Sequence, residues 1–140
     1  MSDLDHLFER IAAGEIPSHR VYEDEHVYAF LDINPLSRGH TLVIPRTRYE
    51  RLEELSEEVG AALGAALPRI AGAVIAATGA PAYNVLQNNG PAAGQAVPHV
   101  HFHIIPKYPD GSGLPHHWPA RALDKHEAPA LAKAIAAHLG

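Results

Sequence analysis

Residues 99–105 read His-Val-His-Phe-His-Ile-Ile. Side chains alternate faces along an extended chain, so His99, His101 and His103 project from one face and Val100, Phe102 and Ile104 from the other. Same-face neighbours sit about 7 Å apart. Three imidazoles in strict alternation suit a core poorly, because each ring would need hydrogen-bond partners there. Two chemistries suit them better. Imidazole is a common zinc ligand, and His-x-His on a strand can place two donors on one ion. The third is too far to join unless the strand bends, and the first carboxylate after the strand is Asp110. The other chemistry is nucleophilic: a neutral imidazole attacks through one nitrogen while the other holds a proton in a hydrogen bond. Its flanking histidines can then donate to developing charge.

The composition narrows these options. The chain has 140 residues, enough for one compact domain over 1–140. It contains no cysteine, which excludes disulfides, thiol catalysis and Cys-ligated zinc and fits a cytoplasmic protein. Eleven histidines are an unusual number for this length. The net charge of −5 argues against bulk binding to a nucleic-acid backbone, so a phosphate-bearing ligand must be caught by local donors. Met1–Arg10 is mixed and acidic, unlike a secretory signal. No apolar stretch is expected to approach the roughly 20 residues that span a bilayer.

Several elements must position the histidines. A short helix is expected over Asp5–Ala13, with Leu7, Phe8 and Ile11 on one face, ended by Gly14 and Pro17. Strands are expected over His19–Glu23 and His26–Ile33, and over His40–Ile44, stopped by Pro45. Ser56 is a plausible N-cap for a helix running to about Thr78, bent at Pro68 and closed by Gly79. Ala82–Gln87 reads as a strand, Asn88–Gln95 as a Gly-rich loop, His99–Ile105 as a strand bracketed by Pro98 and Pro106, and Ala130–Leu139 as a terminal helix. The order predicts an α+β fold: an antiparallel sheet with one long helix and short terminal helices.

The histidine segment resembles the signature of the histidine triad proteins, three histidines separated by apolar residues. Four further blocks extend the likeness over about residues 5–106, leaving 107–140 as a variable tail. Asn88-Asn89-Gly90 followed by Gly94-Gln95-Ala96-Val97 resembles the block that precedes the triad. Ala29–Pro35 resembles the nucleoside-binding strand and loop, and Gly39–Pro45 the Gly-His strand. Leu7–Ile11 with Gly14–Pro17 is similar to the N-terminal segment of the nucleotide-binding branch, and points away from the fragile-histidine-triad branch.

That resemblance implies a homodimeric phosphoramidase or nucleotidyl hydrolase acting on purine nucleoside monophosphate derivatives, with no cofactor and no nucleic-acid or membrane partner. Dinucleoside polyphosphate hydrolysis, or nucleotide binding with little turnover, are the alternatives. It implies His101 as the nucleophile, its second N–H held by the His99 carbonyl. His103 would donate to phosphate, and His99 and His40 would form a supporting chain. Asp32 would accept from the ribose hydroxyls. Phe8, Ile11, Phe30, Ile33 and Leu42 would line a slot for the base, and Asn88 with Gly94, Gln95, Ala96 and Val97 would hold the phosphate. Ala96 stands where one branch has serine, and Lys107 where arginine is frequent. His6, Glu9 and Arg48 occupy positions where many bacterial relatives have zinc ligands, so no structural zinc is expected. The tail carries His116, His117 and Trp118; in some relatives this region reaches the partner's site.

Overall fold

The computed structural model describes residues 3–140; the first two residues of Met1–Arg10 lie outside the described residues. A 3-10 turn over Asp3–His6 leads into α1, Leu7–Ala12. Strands β1 (Arg20–Glu23), β2 (Val27–Leu31) and β3 (Thr41–Pro45) follow. Then come α2 (Glu57–Thr78), β4 (Ala82–Gln87), β5 (Phe102–Lys107) and α3 (Ala128–Ala137). The five strands form one antiparallel sheet in the order β1-β2-β3-β5-β4. This is the α+β architecture the sequence predicts.

The alternation of side chains splits the core into two layers. Val27, Ala29, Val43 and Ile104 face α2 and pack with Val59, Leu63, Ala66, Ile70, Ala71 and Val74. Tyr28, Phe30, Leu42 and Ile44 face the other way and pack with Phe8, Ile11 and Ala12 of α1. Both faces of the central strands are thus covered, so β2 and β3 read as apolar runs rather than as clean alternation.

The Ser56 side chain accepts from the Val59 N–H, and Gly79 takes the left-handed conformation at φ 71°. Helix α2 runs through Pro68 as one element. Contrary to the sequence expectation, it is long and apolar enough to cross a membrane by length and composition. Its many alanines produce that apolarity, and its larger side chains fill the core against the sheet.

Several boundaries differ from expectation. Pro45 lies inside β3, opposite Val27. Pro106 lies inside β5, opposite Tyr83, where β3 no longer pairs with β5. The strand that was to begin at His99 begins at Phe102, because the pairing of β3 with β5 ends at Val43 and β4 ends at Gln87. His99, Val100 and His101 therefore precede the ladder. Helix α3 begins two residues earlier than expected and buries none of its residues.

Candidate active site

His103 sits in β5 directly opposite Leu42 of β3, so its ring shares the α1 face with that leucine. Leu42 lines a cavity of about 400 Å³ between α1, β2 and the segment ahead of β5. Phe8, Ile11, Phe30, Asp32, Ile33, Leu42, Ala96, Val97, His101 and His103 all border it. Leu7, Ile16 and Leu31 add apolar wall to which the sequence reading gave no site role. Leu7 was legible on the same helix face as Phe8 and Ile11. Among the described residues, no lysine or arginine lines this cavity.

The hydrogen bonds around the rings fix their tautomers when the rings are neutral. The Leu36 N–H donates to His40 Nδ1 at 3.0 Å, so His40 carries its proton on Nε2. That nitrogen lies 2.9 Å from His103 Nδ1 and 3.5 Å from Asp32 Oδ2. His103 Nδ1 then accepts, which leaves the ring proton of His103 on Nε2. His101 Nδ1 donates to the His99 carbonyl at 2.7 Å, leaving a lone pair on Nε2. His99 Nε2 donates to the Pro45 carbonyl at 2.7 Å, and its Nδ1 is buried without a partner.

Burial keeps these rings neutral. It pushes His99 down to about 4, with the Pro45 carbonyl opposing the shift. It pushes His103 down to about 4 as well, helped by the neighbouring His101 and His40. Burial also lowers His101 and His40, opposed at His40 by the Asp32 carboxylate. The rings lean together rather than standing apart: the His101 and His103 centroids are 4.9 Å from each other. Phe8 holds the group from the α1 side, edge-on to His101 at 5.1 Å and to His99 at 5.6 Å.

Not every expected residue meets the cavity. His40 reaches His103, not His99, because the His99 ring turns toward Pro45. Gln95 turns away as well: its amide N–H donates to the Glu50 carbonyl and its oxygen accepts from the Gly90 N–H. Gln95 thus pins the loop. Gly94, at φ +95°, lies against Asn88, where a Cβ would come 3.4 Å from Nδ2. Asn88 and Gly94 do not border the cavity as it stands. The Asp32 carboxylate is divided between two duties, with Oδ1 accepting from the Asn34 N–H at 2.8 Å and Oδ2 facing His40.

Two groups bear on metal binding. Asp32, His40 and His103 place ligand atoms within 4.8 Å of one another. A cation there would need the His40 Nε2 lone pair, which the Leu36 hydrogen bond denies to a neutral ring. At the positions that the family resemblance assigns to zinc ligands, His6 Nδ1 pairs with Glu9 at 2.8 Å and Arg48 Nε donates to the Pro98 carbonyl at 3.1 Å. A guanidinium has no lone pair to give a metal, so this donor set does not fit the ion.

The fold and site define a class: a small antiparallel α+β protein with interacting imidazoles at the mouth of an apolar cavity. The HIT domain family model matches residues 13–110. The chain is 48% identical over 118 residues to Protein hit of Bacillus subtilis, covering 84% of this chain and 81% of that one. It is 43% identical over 133 residues to the adenosine 5'-monophosphoramidase of Saccharomyces cerevisiae, covering 95% of this chain and 82% of that one. A crystal structure of a HIT family member from Bacillus subtilis superposes with a TM-score of 0.91 at 43% identity, covering 96% of each chain. The chain belongs to the HIT family, the histidine triad proteins.

Proposed function

We propose that this chain hydrolyses purine nucleoside phosphoramidates at the α-phosphorus through a covalent nucleotidyl-His101 intermediate. The observation that carries this reading is the His101 ring. Its Nδ1–H is spent on the His99 carbonyl, and its Nε2 lone pair is free on a ring that borders the cavity. Nε2 attacks phosphorus, the P–N bond breaks with its electron pair on nitrogen, and the departing amine takes a proton from solvent water. The neutral tautomer of His103 offers its Nε2–H to the phosphate oxygens, where charge develops. Water then attacks the adduct and gives up a proton to solvent, the P–Nε2 bond breaks with its electron pair on nitrogen, and His101 returns to its neutral form with release of the nucleoside monophosphate.

The apolar walls from Phe8, Ile11, Phe30, Ile33 and Leu42 suit a purine, and Asp32 Oδ2 is an acceptor for ribose hydroxyls. Ala96 and Val97, which border the cavity, supply the phosphate rim, and Gly94 lies behind them against Asn88. A cavity lined by no fixed cation among the described residues favours a single phosphate over the extended charge of a dinucleoside polyphosphate. The yeast relative's name points the same way.

The test is a rapid-quench reaction with adenosine 5'-phosphoramidate, followed by mass spectrometry of the peptide carrying residues 99–105. Adenylylated His101 is the expected result. A His101→Ala protein that kept full turnover would overturn the reading.

The homodimer belongs to the same proposal. Tyr83 and Val85 on edge strand β4, and Leu131 and Ile135 on α3, are large apolar side chains that stand exposed on the single chain. Sedimentation equilibrium should return twice the chain mass, with Val85→Glu shifting the balance toward monomer.

A further inference from the structure

The carbonyl that orients His101 lies outside the sheet. Neither β3 nor β4 pairs with residues 99–101, so no ladder sets the plane of the His99 peptide. The end of β3 and the segment just after it hold it instead. The Val100 N–H donates to the Tyr49 carbonyl at 2.7 Å, and His99 Nε2 donates to the Pro45 carbonyl. Between those two anchors, Arg48 Nε donates to the Pro98 carbonyl, the acceptor of the peptide immediately before His99. Of the three tethers, this is the one made by an exchangeable side chain to the backbone ahead of the histidines.

We propose that Arg48 is a positioning residue for His101. Its guanidinium fixes the Pro98 carbonyl, and through it the His99 peptide whose oxygen holds the His101 ring by Nδ1. Arg48 touches neither the cavity nor the reacting atoms. A charge-assisted donor to a carbonyl is stronger and more directional than a neutral one, which suits a backbone with no ladder. Arg48 and Glu9 both act on His99, with opposite sign.

The inference rests on the proposed reaction, so its test has a readout independent of turnover. Wild type, Arg48→Ala, Arg48→Lys and Arg48→Gln are compared with adenosine 5'-phosphoramidate as substrate and AMP as the binding ligand. Arg38→Ala is the control, because it removes another arginine-to-carbonyl bond, to Thr78, away from the histidines. The expected result for Arg48→Ala is a kcat lowered roughly 10- to 100-fold with KM and AMP affinity within about two-fold. Arg48→Lys and Arg48→Gln, which keep a donor, should recover part of it. The NMR signal of the His101 Nδ1 proton should broaden or exchange faster in Arg48→Ala and remain sharp in Arg38→Ala.

If kcat and that proton signal both match wild type, Arg48 does not position His101. A loss shared equally by kcat, AMP affinity and Tm, with no rescue by lysine or glutamine, assigns Arg48 a structural role only and also overturns the inference. If wild type itself lacks turnover, the proposed function fails, and the proton signal alone decides the role of Arg48. Should Arg48→Ala not fold, Arg48→Gln and Arg48→Lys carry the comparison.

Discussion

His103 and His101 are two residues apart and share one alternating pattern, yet they are held by different means. His103 lies in the ladder, with Leu42 opposite it on β3 and Leu86 on β4. His101 lies ahead of the ladder and is aimed by the His99 carbonyl, which hangs on the segment after β3. A ladder fixes a side chain through many cooperating backbone bonds. A tethered stretch depends on a few bonds, several of them from side chains. In the proposed reaction, the residue that needs a free lone pair is on the tethered stretch, and the residue that needs a donor is on the ladder.

The comparison is broken most severely by removing the rings. His101→Ala should lower kcat for adenosine 5'-phosphoramidate by roughly 10³-fold or more, since it removes the proposed nucleophile. AMP affinity, measured by calorimetry, should stay within a few-fold because the apolar walls remain. His40→Ala acts on the ladder side. It removes the donor to His103 Nδ1, frees that ring to choose the other tautomer, and should cost about 10²-fold in kcat. A His40→Ala protein with wild-type kcat would show that the ladder alone holds His103 in its working form.

Phe8→Ala should affect the tethered side more than the ladder side, because Phe8 meets His99 and His101 edge-on. Phe8 is 5% exposed, and truncating such a ring costs roughly 3–5 kcal/mol. Urea unfolding should show that loss, and KM should rise as the cavity loses a wall.

The sequence made one of these two regions easier to read than the other. Helix α2 follows from the Ser56 cap, the apolar spacing of Val59, Leu63, Ile70 and Val74, and Gly79. Strand β4 has the bounds its composition suggests. The start of β5 was hidden because the alternating pattern continues through His99–His101, where neither neighbouring strand pairs with it. Period-two alternation reports an extended chain, not a paired one. The cavity's apolar residues were legible as blocks. Gln95 was not, because a Gly-rich loop does not reveal which side chain points inward and which ties the loop to Glu50. The His40–His103 contact joins residues 63 apart, and a local pattern holds no information about it.

Acid tests both regions together. His99 and His103 each have a folded pKa pushed down to about 4, against an ordinary value near 6.5. Between those values the unfolded chain binds more protons than the folded one, so stability falls as pH falls. Their contribution is complete above about pH 6.5 and is lost progressively toward pH 4. Tm followed across that window should fall, and His99→Gln should flatten part of the slope. A Tm flat from pH 7 to 4 would mean the two rings are not held neutral by burial.

The smallest effect is expected at the far end of β5. Asp110 is the first carboxylate after the histidines, and a metal reading of the triad would look to it for support. Its Oδ1 instead accepts from the Ser112 N–H at 2.9 Å and from Ser112 Oγ at 2.7 Å, and it lies beyond the ladder in an exposed turn. Those bonds hold its carboxyl below the usual carboxylate range. Asp110→Asn keeps an oxygen acceptor for the same turn, so Tm should move by no more than about a degree and kcat should stay at the wild-type value. Activity of wild type and variant should be equally indifferent to chelator. A variant whose kcat fell, with activity restored by zinc, would draw Asp110 into the site. It would then be the tethered histidines, free of the ladder and able to bend, that bring a third ligand within reach of a metal.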